Sequence, residues 1–193
     1  MPRTEADNER VRDEQRARIL NGARAVFARR GIAATMAEVA AEAGVSQGLA
    51  YRYFASKDEL FRALVADAMR PDDLQVDPSA APGAQLRRLL TVVLETRRDH
   101  PEMYQLMYHV LSDSGTPPDV IAAVQQRGMR FFELVRTLVV EGQATGEIAP
   151  DDPDQLVAAV VAMLDGVTRF SLNHPDQRSH FPDPAIVLRM LAP

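Results

Sequence analysis

Apolar residues recur at helical spacing along most of the chain. Ile19, Ala23, Val26 and Phe27 fall at i, i+4, i+7 and i+8, one stripe of a first helix that becomes regular from about Val11. Arg29 and Arg30 close it where cations complement the helix dipole, and Gly31 supplies a left-handed stop. The polar first ten residues predict a frayed end. Thr35-Met36-Ala37-Glu38 is a capping box, and it opens a short helix whose inner side is Val39, Ala40 and Ala43. Gly44-Val45 breaks that helix, and Ser46 caps another from Gln47 to about Tyr53. Ser56-Lys57-Asp58-Glu59 is a second capping box, starting a helix with Leu60, Phe61, Leu64, Val65 and Ala68 on one face.

Residues 71–83 hold prolines and Asp-rich turns without periodicity and read as a linker. Helical spacing resumes at Gln85 with Leu86, Leu89, Leu90, Val93 and Leu94. Pro101 restarts it, with Met103, Tyr104, Met107, Tyr108 and Leu111 on two adjoining strips. A Ser/Gly/Pro loop from Ser112 to Pro118 precedes a long helix from Asp119 to about Thr145, ended by Gly146. Asp152-Pro153 and Asp183-Pro184 pair an N-cap with a proline at the first helical position, predicting helices over 153–173 and 184–191. No alternating β pattern occurs. The expected fold is all-α with about nine helices: an N-terminal three-helix unit over residues 1–58 and a helical body over 59–193.

Composition narrows the functional classes. The chain has 193 residues, 46% hydrophobic and 25% charged, the balance of an ordinary globular protein. It has no cysteine, which excludes disulfides, thiolate metal sites and a cysteine nucleophile. No apolar stretch approaches the roughly 20 residues that span a bilayer, and the alternating charges of residues 1–12 are not those of a signal peptide. No membrane association and a cytoplasmic location are therefore expected. Net charge is −5, but residues 1–70 carry 12 basic and 10 acidic groups against 10 and 17 in residues 71–193. A mildly positive N-terminal third on an acidic body suggests two modules with different partners. Neither a phosphate-binding glycine loop nor H-E-x-x-H or G-x-S-x-G occurs, so no enzyme, cofactor or metal is expected. The histidines at 100, 109, 174 and 180 lack metal-binding spacing.

The informative chemistry lies in residues 35–61. Two short helices joined by a Gly44-Val45 turn and supported by the helix before them follow the helix-turn-helix plan. A second helix that is slim at its exposed start can enter a major groove about 12 Å wide. Gln47, Gly48, Leu49 and Tyr51 would face outward there, with Ala50 turned back toward the supporting helices. Ser46 and the free N–H groups behind it suit a phosphate oxygen, and Lys57, the only lysine, is placed to reach a phosphate as a point charge. Arg52 reads as a contact or a solvated charge, and Tyr53 as a phosphate ligand through its hydroxyl. Thr35 is first a cap and also a possible phosphate donor. Arg3, Arg10 and Arg12 fit either an arm reaching the duplex or a solvated tail.

Ile19, Ala23, Phe27, Gly31, Thr35, Val39-Ala40, Ala43-Gly44-Val45-Ser46, Gly48, Tyr51-Arg52-Tyr53-Phe54, Ser56-Lys57 and Leu60-Phe61 together resemble the N-terminal signature of the tetracycline-repressor-like (TetR) family. That resemblance implies a homodimeric transcriptional regulator, usually a repressor, with a small-molecule site in the helical body and dimerisation through helices 153–173 and 184–191. It also implies a core role for Phe54, wedged between helices. Position 47 is often lysine in that family and is glutamine here, an amide able to bond adenine bidentately. Position 50 is often leucine and is Ala50 here, which loosens the packing under the helix.

In the body, Met103, Tyr104, Met107, Tyr108, Leu111, Phe131, Phe132, Met163, Val167 and Phe170 are the candidates to line an effector site, because methionine adapts its shape and aromatics give flat apolar walls. The same stripes fit a plain core. Leu156, Val160, Met163, Leu164 and Val167 form an apolar strip too wide for the short last helix to cover, which predicts a four-helix bundle across a two-fold axis. Gly128 and Gly166 lie inside helices and predict close helix crossings or a ligand near the backbone. The function expected is a ligand-responsive repressor on a palindromic DNA operator, released by a small apolar or aromatic effector. The competing reading is a small helical carrier or enzyme with a vestigial DNA-binding unit.

Overall fold

The computed structural model describes residues 5–69, 76–174, 176 and 181–192, without the side chains of Glu5, Ala6, Val187, Leu188 and Met190. Arg3, His180 and the first part of the expected linker lie outside the described residues. Nine α-helices follow one another among those described: α1 (Glu5–Arg30), α2 (Met36–Glu42), α3 (Gln47–Tyr53), α4 (Lys57–Ala68), α5 (Pro82–Asp99), α6 (Pro101–Ser112), α7 (Pro118–Ala144), α8 (Pro153–Asn173) and α9 (Pro184–Leu188). A single 3₁₀ turn, Gly31–Ala33, follows α1, and another, Arg189–Leu191, completes the helical stretch expected over 184–191. The fold is all-α, as the spacing predicts.

Two starts differ from expectation. Helix α1 begins at Glu5, so the polar stretch is helical over residues 5–10, where the pattern predicts fraying. No glycine or proline interrupts residues 5–21, and an i,i+4 pair, Arg10 with Glu14 at 3.9 Å, supports its exposed face. Helix α5 begins at Pro82, three residues earlier than its first apolar position, with proline at the first helical position. The side chain of Glu147 reaches it from the segment after α7 and accepts from the Gly83 N–H at 3.2 Å, a long-range cap.

The chain divides into two compact units, Met1–Met69 with Gln105–Val124 and Arg70–Tyr104 with Gln125–Pro193. The first unit therefore runs past residue 58, through the whole of α4. Its core joins Ile19, Ala23 and Phe27 of α1, Val39 of α2, Ala50 of α3, Phe54, and Leu60, Phe61 and Leu64 of α4. The rings of Phe27 and Phe61 sit 5.0 Å apart, tilted. Phe54 is 2% exposed, the core position expected of it. Leu106 and Val110 of α6 are fully buried in the same core. Each such leucine or phenylalanine contributes roughly 1.5–3 kcal/mol by leaving water.

The second unit is built on α5, α7 and α8. Leu86, Leu90 and Leu94 meet Val135, Leu138 and Val139, and Val157, Val160 and Leu164 complete the core. This arrangement corrects the reading of α8. Val160 and Leu164 are buried, and Leu156 and Met163 pack half-buried against the same cluster, so much of the strip assigned to a partner is covered inside the chain. The outward side of α8 is small instead: Ala158, Ala159, Ala162 and Gly166 are exposed. Gly128 and Gly166 are not sites of close packing within the chain either, since a Cβ on either would meet no atom within 4 Å. Finally, α8 is by length and composition apolar enough to cross a bilayer, with a mean hydropathy of 1.4 over its most apolar window, contrary to the expectation that no stretch approaches that length. Within the unit α5 and α7 cover Val157, Val160 and Leu164 of that stretch, while Ala158, Ala159 and Ala162 stay exposed.

Candidate nucleic-acid interface

Helix α2 is fixed at its start by the predicted capping box. Thr35 Oγ1 accepts from Glu38 N–H at 3.3 Å, and the Glu38 carboxylate accepts from the Thr35 N–H at 2.9 Å. The Thr35 hydroxyl also donates to that carboxylate at 2.9 Å. These bonds from Thr35, with Arg30 as ion-pair partner, hold the Glu38 carboxyl below its ordinary range. At its other end α2 closes on Gly44, whose φ of +63° lies in the left-handed region open to glycine. Gly44 N–H donates to Ala41 O at 3.1 Å and Val45 N–H to Ala40 O at 2.9 Å, the paired bonds of a Schellman stop.

Ser46 then caps α3, accepting from Leu49 N–H at 3.1 Å. The seven residues of α3 bury only Ala50. Gln47, Gly48, Tyr51 and Arg52 are exposed, with Tyr51 at 46%, and nothing would meet a Cβ at Gly48. Thr35 and Ser46 are exposed beside them. Leu49 and Tyr53 are half-buried, and the Tyr53 ring packs on the core, so both lie at the edge of the exposed face and not at its centre. Lys57 is half-buried as well. Its Nζ donates to Ile32 O at 2.7 Å, capping the 3₁₀ turn after α1, which leaves two of its three N–H groups for other partners.

The cations of this unit sort by partner. Arg24 pairs with Asp67 at 2.9 Å, Arg29 with Glu42 at 2.7 Å, Arg30 with Glu38, and Arg62 with Asp119 through two bonds at 2.7 and 3.2 Å. Arg52 on α3, and Arg12, Arg16 and Arg18 on α1, have no carboxylate partner among the described residues. The Arg16 guanidinium lies 5.4 Å from the Phe54 ring centre, directly after α3, and Arg18 donates to the turn between α2 and α3. Neither arginine was predicted at the site. Their only sequence signal is that they precede Ile19 on α1, far from α3 along the chain. Arg12, Arg16 and Arg52, left unneutralised around a slim, exposed helix start, suit a phosphate backbone, whereas the Arg18 guanidinium is engaged by the carbonyls of the turn.

Of the predicted effector residues, Met107, Tyr108 and Leu111 belong to the first unit and the others to the second. Met103, Tyr104, Met107, Tyr108, Phe131, Met163 and Val167 are half-buried, whereas Leu111, Phe132 and Phe170 are exposed. In the first unit Met107 packs on the core, and the inward side of α6 is Leu106 and Val110. In the second unit Tyr104 stacks under the Arg97 guanidinium at 4.6 Å. Arg97, missed by the sequence reading, donates to Leu164 O and Thr168 Oγ1, both at 2.8 Å, and to Asp165 at 3.2 Å, with a side chain only 12% exposed. A cavity of about 110 Å³ beside Leu86, Glu147, Ile148 and Leu191 touches none of the predicted lining residues.

Residues 19–64 match the model described as bacterial regulatory proteins, tetR family, and residues 82–191 match that of a BetI-type transcriptional repressor C-terminal domain. The chain belongs to the TetR family of transcriptional regulators. It is 26% identical over 174 residues to the regulator YfiR of Bacillus subtilis, covering 87% of this chain and 85% of that one. It is 29% identical over 185 residues to TtgR of Pseudomonas putida, covering 84% and 82%. The fold superposes on the MbdR regulator of Azoarcus sp. CIB with a TM-score of 0.73 at 25% identity, covering 91% and 94%. This TetR-family regulator is thus an all-α DNA-binding protein with a ligand-binding type of C-terminal body, and α2, the Gly44 turn and α3 lie within the span of its DNA-binding family model.

Proposed function

We propose that this chain acts in the cytoplasm as a homodimeric repressor, bound to a palindromic operator and released by a small apolar or aromatic effector. The observation that carries the reading is α3: a short helix that buries one alanine and turns Gln47, Gly48, Tyr51 and Arg52 outward, in a chain of this family. Residues 1–58 form the DNA-binding part in this reading. Gln47 and Tyr51 read base edges, with Leu49 flanking them. Thr35, Ser46, Arg52, Tyr53 and Lys57 position the phosphates. The body over 59–193 binds the effector, Tyr104, Met163 and Val167 being supported by their half-buried setting in the second unit.

The partner face is α8 with the 184–191 segment. The exposed Ala158, Ala162 and Gly166 let a second backbone approach closely, and exposed Ile186 and Phe170 supply larger apolar surface nearby in sequence. Two-fold symmetry then sets the spacing of two half-sites, about one helical turn of DNA or a multiple of it. An effector that favours a different separation of the two α3 helices releases the DNA through a coupling of about 1–3 kcal/mol. The test is a titration of purified protein against its own upstream DNA at fixed salt, with footprinting. Protection of a palindrome at nanomolar protein supports the reading. Sequence-blind, salt-erased binding, followed by failure to select any sequence from random DNA, overturns it.

A further inference from the structure

We infer that Arg18 is a positioning residue for the recognition helix, holding the turn between α2 and α3 against α1. The inference rests on the DNA-binding reading above for its functional consequence. Helix α3 is seven residues long, and the only side chain it buries is the methyl group of Ala50. Tyr53 packs half-buried on the core at the far end of the helix, so the start, where Gln47 stands, has little packing of its own to stiffen it. That start is tied by the turn before it, since Ser46, the cap of α3, stands two residues after Gly44.

The turn is gripped from α1 at two points. The Schellman stop satisfies the carbonyls of Ala40 and Ala41 and leaves those of Ala43 and Gly44 at the end of α2. Arg18 Nη2 donates to both, at 3.2 Å to Ala43 O and 3.4 Å to Gly44 O, a cation at the negative end of α2. One helical turn further along the same face of α1, Gly22 meets Ala43 so closely that a Cβ would lie 2.8 Å from Ala43 N and 3.0 Å from its Cα. The missing side chain brings the two backbones together, and the guanidinium then ties the carbonyls that the approach exposes. Loss of the tie frees the turn to tilt, and the tilt passes to Gln47 and Tyr51. Because the bonds are long and partly solvated, the effect falls on the orientation of α3 more than on the unfolding of the whole chain.

The full-length Arg18→Met variant tests this, since it keeps the aliphatic stem and removes the donors. Without DNA, the backbone amides of Ala50 and Phe54, bonded inside α3 at 3.1 and 3.0 Å, should exchange with solvent about three- to tenfold faster. The amides of Leu60 and Leu64 in α4 should be unchanged. With DNA, affinity for a sequence that the wild-type protein selects from a random pool should fall about three- to tenfold. Affinity for mixed-sequence DNA, and its slope against salt, should stay as they were, and Arg18→Lys should recover most of the loss. Unchanged exchange in α3 overturns the clamp. A matched loss on all sequences with a slope flattened by about 0.9 overturns it too, by making Arg18 a phosphate contact. A wild-type protein that selects no sequence would refute the DNA-binding reading, and the exchange measurement would still decide the clamp.

Discussion

Lys57 ends on a carbonyl 25 residues away, so its side chain serves the end of α1 before any DNA is present. The two uses are compatible in an ammonium group with three donors, and they separate experimentally. Lys57→Ala should lower unfolding free energy in urea by about 1 kcal/mol through the lost bond to Ile32. The same variant should flatten the salt dependence of DNA binding by about 0.9. A normal slope with lowered stability would leave Lys57 as a cap alone. Glu38 carries a second residue-scale consequence. Its carboxyl is held below the ordinary range chiefly by Thr35, so its ionised form favours the folded chain. That contribution is fully present above the ordinary carboxylate value of 4.5 and is lost as pH falls through the lower folded value. Unfolding curves of wild type and Glu38→Gln should therefore stay separated above the ordinary value of 4.5 and converge as pH falls below it. Curves that stay parallel across that window would remove the capping box from the acid sensitivity.

At the scale of elements, the crossing of α1 and α2 depends on one absent side chain. Gly22 faces the backbone of Ala43, which cannot retreat without shifting the end of α2. Gly22→Ala should cost about 1–3 kcal/mol of stability, read from the urea midpoint, although alanine is by itself the better helix former. A stabilised variant would mean that the two helices separate easily. Gly166 has the opposite setting, with open space where its side chain would stand. An unaccompanied glycine inside α8 costs roughly 1 kcal/mol against alanine, a cost that a second copy lying close over it would offset in the proposed dimer. Gly166→Arg should accordingly leave helix content unchanged and convert dimer to monomer in sedimentation equilibrium. A dimer of unchanged affinity would move the partner face away from α8.

For the molecule as a whole, charge and burial divide the labour. Five of the arginines in the first unit, Arg10, Arg24, Arg29, Arg30 and Arg62, are paired with carboxylates, whereas Arg12, Arg16 and Arg52 have no carboxylate partner among the described residues. A net positive count of two in residues 1–70 thus understates how much positive charge is left at the site. Residues 71–193, with 17 acidic groups against 10 basic, have no such surplus, and the second unit instead holds a guanidinium, Arg97, against Leu164, Thr168 and Tyr104.

Most of what was legible in the sequence is local. Thr35 with Glu38, Ser46 with Leu49, and Asp152 with the N–H groups of Asp154 and Gln155 are bonded within three residues, so the residue types alone determine them. Gly31 and Gly44 stop helices for an equally local reason, a positive φ that glycine adopts without strain. The family signature and the exposed side of α3 follow from the same short-range logic, because a slim helix between two caps has only one face to bury. Tertiary structure decided whatever depends on a distant partner. Period alone could not say which apolar strip of α6 turns inward, and Leu106 and Val110 do so because α1 and α4 offer the complementary core. Nor could it say that α5 and α7 cover Val160 and Leu164 of α8, leaving alanines and Gly166 outside. Lys57 on Ile32 and Arg18 on Ala43 join residues 25 apart, and only the packing of α1 against its neighbours brings those carbonyls within reach.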